Sequence, residues 1–389
     1  MSVCFTSPTF DTSPFSLMSI FLTFDLLALI LAAILTAILM PMVIRLAFRY
    51  DRLDRPECRK IHLVSVPRLG GMAFIPISII STILILGFIM RFYPDLPLTP
   101  IHGQAYPIAF FCVAVALVYA MGVIDDIFEL RYSVKFAVQA VCAIIVLMSG
   151  LQIDNLGGIL GIHAIPQPAA SLLTLIFIIG TINAFNLIDG LDGLCAMLAA
   201  IAFTVYGGVF YLSGNVILSL ICFSLIGGLS AFLCYNVLGN AKRHTKIFMG
   251  DSGSMTLGLI ISICALSFIS YPTNTVATTQ QQLIYLFSPI MIPVFDAIRV
   301  FAWRISHRRN PFIADKNHIH HRLLAAGMSQ ISALTVLTLI SMSFCLLNVM
   351  LADTININIV LLVDIIIWIA FNIVINRRTA RIVHHRKQM

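Results

Sequence analysis

The sequence predicts an all-α protein, a polytopic membrane helix bundle with about eleven transmembrane helices. Two observations support this fold class. Hydrophobic residues make up 59% of the chain and charged residues only 11%, whereas soluble domains carry about 25% charged residues. Long apolar runs also recur along most of the 389 residues, with no stretch between them that could form a soluble domain. We therefore expect a single integral membrane domain over residues 1–389, with an N-terminal extension at 1–15 and a basic tail at 377–389.

The candidate spans follow from the lengths of the apolar runs, because a helix that crosses a bilayer needs about 20 such residues. They are 17–44, 70–92, 106–124, 134–151, 169–184, 194–212, 216–235, 253–270, 283–303, 330–351 and 356–376. Residues 1–15 contain no Lys or Arg. The first run thus lacks the basic start of a cleavable signal peptide, and we expect it to remain as a membrane helix.

The basic residues predict how the bundle is oriented. With these spans, every one of the 24 Lys and Arg residues except Arg91 falls on the same side of the membrane. Cytoplasmic loops are enriched in Lys and Arg, so we predict an external N-terminus and a cytoplasmic C-terminus. The net charge of +7 is explained by loops that meet anionic membrane lipids, and no nucleic-acid partner is expected.

The segment 183–194, Asn-Ala-Phe-Asn-Leu-Ile-Asp-Gly-Leu-Asp-Gly-Leu, lies between two apolar runs on this cytoplasmic side. Four amide and acid side chains recur in it every three residues, so on a helical turn they share roughly one face: Asn183, Asn186, Asp189 and Asp192. Polar groups at the edge of a membrane span are costly and often functional. A hydrated loop between two helices is the alternative interpretation.

Adjacent carboxylates, Asp125 and Asp126, end the third predicted span, and Lys135 follows them. Carboxylates, together with waters and substrate phosphates, are the ligands that Mg²⁺ prefers. One of the two acids could instead act as a base, since a close like charge raises a pKa, and Lys135 could meet a phosphate. An ordinary charged helix cap would explain the pair equally well.

The eighth predicted span opens with Gly-Asp-Ser-Gly-Ser at 250–254. Backbone N–H groups at a helix N-terminus form an anion site. Asp251 would repel a bare phosphate there, but a Mg²⁺ between Asp251 and a pyrophosphate would remove that conflict. Asp251 or Ser252 could also be a simple N-cap.

Three histidines, His318, His320 and His321, lie on the same predicted side. Their spacing is not the usual helical pattern of zinc ligands, so hydrogen bonds to phosphate or sugar oxygens are an equal alternative. The first loop, 51–62, is rich in cations that suit a phosphorylated lipid or nucleotide. Together these segments predict phosphoryl transfer between a soluble nucleotide and a lipid, in which positioning and charge neutralisation do most of the catalysis.

Two other functional classes remain as alternatives. A transporter can also carry acids within its membrane helices, but it should show inverted repeats and broken helices near the bilayer midplane. The acids here cluster at one face, and no repeat is visible in the sequence. A structural scaffold would not need five aspartates on one side.

In their order and topology these segments resemble the polyprenyl-phosphate N-acetylhexosamine-1-phosphate transferase family (glycosyltransferase family 4), over roughly residues 45–325. The His-Ile-His-His run and the 183–194 segment are most similar to its WecA-type branch. The resemblance implies a cytoplasmic active-site cleft in a bacterial inner-membrane protein. It also implies transfer of GlcNAc-1-phosphate from UDP-GlcNAc to undecaprenyl phosphate, with Mg²⁺, or alternatively Mn²⁺, as cofactor. Another UDP-N-acetylhexosamine or UDP-MurNAc-pentapeptide is an alternative donor, and a homodimer is left open.

The resemblance also implies a role for each site residue. Asp251 is expected to bind Mg²⁺, with Asn186 helping to hold the metal or the pyrophosphate. Asp125, of the pair with Asp126, is expected to deprotonate the lipid phosphate, and Asp189 and Asp192 are expected to be required. The remaining residues are expected to contact the substrates, at the phosphates or at the nucleotide sugar: Lys60, Lys135, Asn183, His318, His320 and His321.

Overall fold

A computed structural model confirms the predicted fold class, an all-α bundle of membrane helices with little sheet. The structure describes residues 14–54, 65–94, 96, 101–270, 278–310 and 317–388. Most of the predicted N-terminal extension and Lys60 lie outside these described residues.

Thirteen α-helices, two short 3₁₀ helices and four short strands make up the described fold. The helices are α1 Pro14–Arg49, α2 Gly70–Phe92, α3 Ile101–Phe128, α4 Tyr132–Met148, α5 Gln167–Ile188, α6 Leu194–Leu212, α7 Val216–Asn236, α8 Asp251–Ser270, α9 Thr279–Phe287, α10 Met291–Ser306, α11 Ile319–Ala325, α12 Gln330–Leu351 and α13 Ile357–Gln388. The strands form two antiparallel pairs, β1 Leu53–Asp54 with β2 Val66–Pro67, and β3 Asn155–Ile159 with β4 Ile162–Ala164.

The membrane helices match the predicted spans closely. In the described ranges, ten helical segments are long and apolar enough to cross a membrane, and α4 is a shorter apolar helix of 17 residues. The ninth predicted span, 283–303, is not one regular helix. It divides into α9 and α10 at a 3₁₀ turn over Ser288–Ile290, because Pro289 has no N–H to continue the α-helical ladder.

Helix α8 is the centre of the bundle, and 94% of the residues in its most apolar stretch are buried. It packs against α2, α3, α5 and α6. Glycines allow two of these contacts: a Cβ on Gly71 would lie 2.2 Å from the backbone nitrogen of Gly253, and one on Gly122 would lie 2.5 Å from Cα of Ser252. The C-terminal end of α3 is therefore held directly against the N-terminal end of α8.

The segment that leads into α8 is fixed by the segment that leads into α2. The backbone N–H of Phe248 donates to the carbonyl of Pro67 at 2.7 Å, and the N–H groups of Gly70 and Gly71 donate to the carbonyls of Phe248 and Met249 at 2.9 and 2.8 Å. These bonds satisfy buried backbone groups that would otherwise be unpaired. Two segments nearly 180 residues apart in the chain thus form one support for the start of α8.

Candidate active site at the ends of α3, α5 and α8

Three carboxylates from two helices meet where α3 ends and α8 begins. One oxygen from each of Asp125, Asp126 and Asp251 can be chosen so that all three lie within 4.8 Å of one another. Asp125 and Asp126 lie one turn after Gly122, whose contact with α8 sets their position. In the part of the chain that the structure describes, this trio is the group of acids, histidines or cysteines close enough to share a metal ion.

Asp126 caps helix α8 through its carboxylate. Oδ1 accepts a hydrogen bond from the N–H of Asp251 at 2.7 Å, and Oδ2 accepts one from the N–H of Ser252 at 3.1 Å. Gly250 has φ +77°, and a Cβ there would lie 2.6 Å from the same carboxylate, so glycine is required by both conformation and space. The anion site predicted at the start of α8 therefore exists, but a side chain of the protein itself occupies it.

Lys135, from α4, joins the other two acids. Its Nζ lies 2.6 Å from Oδ2 of Asp125 and 2.7 Å from Oδ2 of Asp251. Asp125 also accepts a hydrogen bond from the N–H of Leu130 at 2.8 Å. The ammonium group offsets the repulsion between two carboxylates that are largely removed from water. The ammonium group of Lys135 therefore lies against these carboxylates and not at an open position where a substrate phosphate could bind.

Asn186 is the residue of the 183–194 segment that touches this cluster. Its Nδ2 donates to Oδ1 of Asp251 at 3.2 Å and to Oγ of Ser254 at 3.0 Å. The amide nitrogen, assigned by this hydrogen-bond network, faces Asp251, so Asn186 orients the carboxylate. Asn183 instead donates to Oε1 of Gln139 on α4 at 2.7 Å, one turn deeper in the bundle.

The four regularly spaced residues of 183–194 do not share one helical face. Helix α5 ends at Ile188, so Asp189 caps its end and Asp192 lies in the following turn. Asp192 forms an ion pair with Lys246, 2.6 Å between Oδ2 and Nζ. Burial raises the pKa of Asp189 well above its usual value, and the nearby carboxylates of Asp251, Asp192 and Asp126 raise it further, against a smaller opposing effect of Arg68.

Asn236, at the end of α7, fixes the turn that contains Asp189 and Asp192. Its Oδ1 accepts from the N–H of Gly193 at 2.5 Å, and its Nδ2 donates to the carbonyl of Ile247 at 2.7 Å. The side chain is 4% exposed. Sequence analysis missed this residue, although an amide at the end of an apolar span was the signal available.

The histidine segment packs on the same turn. His320 is buried, and a Cβ added to Gly190 would lie 2.3 Å from its Nε2. Burial, with smaller effects of His321 and His318, lowers the pKa of His320 to about 3. The ring is therefore neutral, and neither ring nitrogen has a hydrogen-bond partner among the described residues. Gly190 is required because the imidazole takes the space of a side chain.

His318 is held from α10, by a residue that sequence analysis also missed. Its Nδ1 lies 2.8 Å from Oδ2 of Asp296, and the N–H of Ile319 donates to Oδ1 of the same carboxylate at 3.1 Å. Arg299 donates to Asp296 at 2.7 Å and to the carbonyl of Asn317 at 2.5 Å. The ring of His321 lies beside that of His320, with centroids 4.2 Å apart and the ring planes tilted by 47°. The three histidines do not converge on one point of the kind a zinc ion needs.

These helices and this polar cluster define a multi-pass membrane protein with an acidic site at one end of its bundle. The model of glycosyl transferase family 4 matches residues 108–269. The chain is 32% identical, over 82% of each sequence, to a Bacillus subtilis protein named a probable undecaprenyl-phosphate N-acetylglucosaminyl 1-phosphate transferase. It is 28% identical to a Salmonella typhi protein, over 76% of this chain and 75% of the relative, and 27% identical to one from Escherichia coli K12 over the same shares. Both are named undecaprenyl-phosphate alpha-N-acetylglucosaminyl 1-phosphate transferase.

The chain belongs to glycosyl transferase family 4, as the order of its sequence motifs predicted. The matched region contains α4, α5 and most of α3 and α8, and so includes all three clustered carboxylates, Lys135 and Asn186.

Proposed function

We propose that this protein transfers GlcNAc-1-phosphate from UDP-GlcNAc to undecaprenyl phosphate, forming undecaprenyl-diphosphate-GlcNAc and releasing UMP. The observation that carries this proposal is the convergence of Asp125, Asp126 and Asp251 with Lys135 at the ends of membrane helices. A site there can meet a lipid phosphate from the bilayer and a nucleotide from water. The names of the family relatives give the same acceptor and the same transferred group.

The donor set fits a hard divalent cation, Mg²⁺ or alternatively Mn²⁺. Carboxylate oxygens are the ligands that such ions prefer, and Asp125 and Asp251 are the better placed because the Asp126 carboxylate already caps α8. When bound, a divalent cation supplies neutralisation of phosphate charge. Asn186 contributes by orienting the Asp251 carboxylate.

The reaction we propose is an in-line displacement at the β-phosphorus of the donor, with a phosphate oxygen of the lipid as nucleophile. A phosphate monoester carries about −1.5 to −2 charge at neutral pH, so it needs little deprotonation by Asp125. The site therefore acts mainly by holding two anions together. Lys60, Asn183 and the three histidines are proposed substrate contacts.

The predicted charge asymmetry supports an active site on the cytoplasmic face of the inner membrane, with a periplasmic N-terminus and a single membrane domain. The product would be the starting unit of O-antigen, enterobacterial common antigen or a related envelope polysaccharide. Another UDP-N-acetylhexosamine or UDP-MurNAc-pentapeptide is the alternative donor.

The test is an assay of the purified protein with undecaprenyl phosphate, Mg²⁺ and UDP-GlcNAc labelled in the sugar. We expect UMP in the aqueous phase and label in the lipid phase in equal amounts. Release of UDP would instead show transfer of the sugar without its phosphate and would overturn the mechanism. UMP release only with a different donor would keep the mechanism and change the sugar.

A further inference from the structure

A second polar layer lies one helical turn below the acidic site. The site itself joins α4, α5 and α8 through Lys135, Asn186 and Asp251. Each of these helices contributes one further residue, three or four positions deeper in the bundle, and these residues are also in contact: Gln139, Asn183 and Met255. Residues three or four apart lie on one face of a helix, so the two layers are stacked, about 4.5–6 Å apart.

Gln139 is the centre of the lower layer. Its Oε1 accepts a hydrogen bond from Nδ2 of Asn183 at 2.7 Å, and its Nε2 lies 3.7 Å from Sδ of Met255. The orientation of both amides is fixed, because Nδ2 of Asn183 also donates to the carbonyl of Ile179 at 2.8 Å, and a carbonyl can only accept. Gln139 is 1% exposed. An amide buried inside a membrane helix is costly, so its place at this junction requires an explanation.

The packing of α4 explains why such a junction is needed. In the described fold, α4 packs closely against α3 and α5, whereas α8 packs closely against α2, α3, α5, α6 and α9. Helix α5 is fixed on α8 directly, because a Cβ on Gly258 would lie 2.7 Å from Cα of Ile182. The backbone of α4 is thus not packed closely on α8, and Lys135 and Gln139 reach across to it with their side chains.

These two polar residues of α4 are not independent of each other. Gln139 follows Lys135 by four residues and lies on the same face of the helix. The hydrogen bond to Asn183 sets the depth of this face relative to α5, and α5 is itself fixed on α8. The ammonium group of Lys135 lies 2.6 Å from Asp125 and 2.7 Å from Asp251. A shift of α4 along its axis by a fraction of a turn would therefore weaken at least one of these two contacts.

We propose that Gln139 is a positioning residue, which holds Lys135 between Asp125 and Asp251 and thereby sets how tightly these acids bind a divalent cation. A cation that binds both acids has to displace the ammonium group from the same carboxylates, so Lys135 and the cation compete. Holding Lys135 in place therefore weakens cation binding. The contacts of Gln139 are with Asn183 and Met255, so it acts through Lys135. The inference rests on the proposed function in one respect, that the acidic site takes a divalent cation.

Titration of the full-length protein in detergent with Mn²⁺ tests the proposal without substrates. Electron paramagnetic resonance measures the free ion, so the Kd does not depend on the donor, the acceptor or turnover. We expect Gln139→Leu to bind Mn²⁺ about three- to tenfold more tightly than the native protein, the scale on which neighbouring residues couple. Lys135→Gln should bind it at least as tightly, and the double variant should match Lys135→Gln alone, because Gln139 then has no ammonium group to position.

Two results would overturn the proposal: an unchanged Kd in Gln139→Leu, or an equal tightening by Gln139→Leu with and without Lys135. Absence of Mn²⁺ binding in every variant would overturn both the proposal and the divalent-cation site. The transfer reaction is tested separately, by UMP release.

Val146→Ala is the matched control for loss of packing. Val146 is fully buried among apolar side chains on α4, about two turns beyond Gln139. Its truncation should lower the Tm but leave the Kd for Mn²⁺ unchanged, because both polar layers remain. Gln139→Met keeps the length of the side chain without its amide, so it should give the same Kd as Gln139→Leu and replaces that variant if it does not fold. An equal tightening in Val146→Ala would show that any loosening of α4 frees the acids, and would contradict a specific role of Gln139.

Discussion

The carboxylate of Asp126 caps the backbone of Asp251, with Oδ1 2.7 Å from the amide nitrogen. Two acids that the sequence suggests as candidate metal ligands therefore have different tasks. Asp126 fixes the first turn of α8, and Asp251 presents its side chain from that turn to Lys135 and Asn186. Electrostatic repulsion between them is reduced because one is bound to the positive end of the helix dipole.

The cap predicts a specific pattern of stability. Asp126→Ala should lower the free energy of unfolding by about 1–2 kcal/mol, the usual effect of losing an N-cap, and Asp126→Asn should lower it less because one acceptor remains. Thermal unfolding in detergent measures both. Asp125→Asn is the control, since Asp125 accepts only one backbone N–H. An equal loss in Asp126→Asn and Asp126→Ala would show that the charge, not the acceptor, is what matters.

Asp251 should matter more for activity than Asp125. If charge neutralisation dominates, Asp251→Asn should reduce UMP release by at least about 100-fold, the scale of losing one preorganised electrostatic contact, and Asp125→Asn by less. Initial rates at saturating Mg²⁺ give the comparison, and intact Tm values exclude unfolding as the cause. A larger loss in Asp125→Asn would mean that deprotonation of the lipid phosphate is the greater barrier.

Lys135 is expected to stabilise the fold by offsetting the repulsion between the carboxylates of Asp125 and Asp251. Lys135→Gln leaves Asp125 and Asp251 without their shared cation, so we expect a lower Tm in EDTA than for the native protein. Mg²⁺ should raise the Tm of this variant more than that of the native protein, because two unpaired carboxylates bind cations more strongly. Lys135→Arg keeps the charge and is the matched control. An equal change of Tm with Mg²⁺ in all three proteins would contradict the idea that the Lys135 ammonium group occupies the position that a metal ion would take.

The contact between Gly190 and His320 can be tested with a double-mutant cycle. Gly190→Ala places a methyl group 2.3 Å from Nε2 of a buried ring, so we expect loss of stability and of activity. His320→Ala removes the ring, and the double variant should be less damaged than the sum of the two single variants. Strict additivity would show that the two residues do not touch in the working protein.

His320 also predicts an acid sensitivity. Its pKa is about 3 in the folded state and about 6.5 when unfolded, so the unfolded state binds the proton first as the pH falls. The stabilising contribution is complete above about pH 6.5, and about 2 kcal/mol of it is lost by pH 5. The Tm of His320→Gln should therefore fall less between pH 7 and pH 5 than that of the native protein. Parallel curves would indicate that the ring is hydrated.

Hydropathy alone was sufficient to predict the membrane fold, because within a bilayer each long apolar run must form a helix to satisfy its backbone hydrogen bonds. The same logic set the boundaries of α6 and α12 correctly, at Leu194–Leu212 and Gln330–Leu351. It could not show that the ninth span divides at Ser288–Ile290, since Pro289 within an apolar run does not reveal how its neighbours pack.

The chemistry of the site was visible in the sequence as residue types, and Asp125, Asp126, Asp251, Lys135 and Asn186 are indeed brought together. Which atom faces which could not be predicted, because Asp251 contacts residues that lie 65 to 125 positions away in the chain, through the close approach of Gly71 and Gly122 to α8. The regular spacing at 183–194 was misleading for the same reason: α5 ends at Ile188, and Asn236 and His320 then fix the turn. Local spacing determines which groups are available, and long-range packing decides their partners.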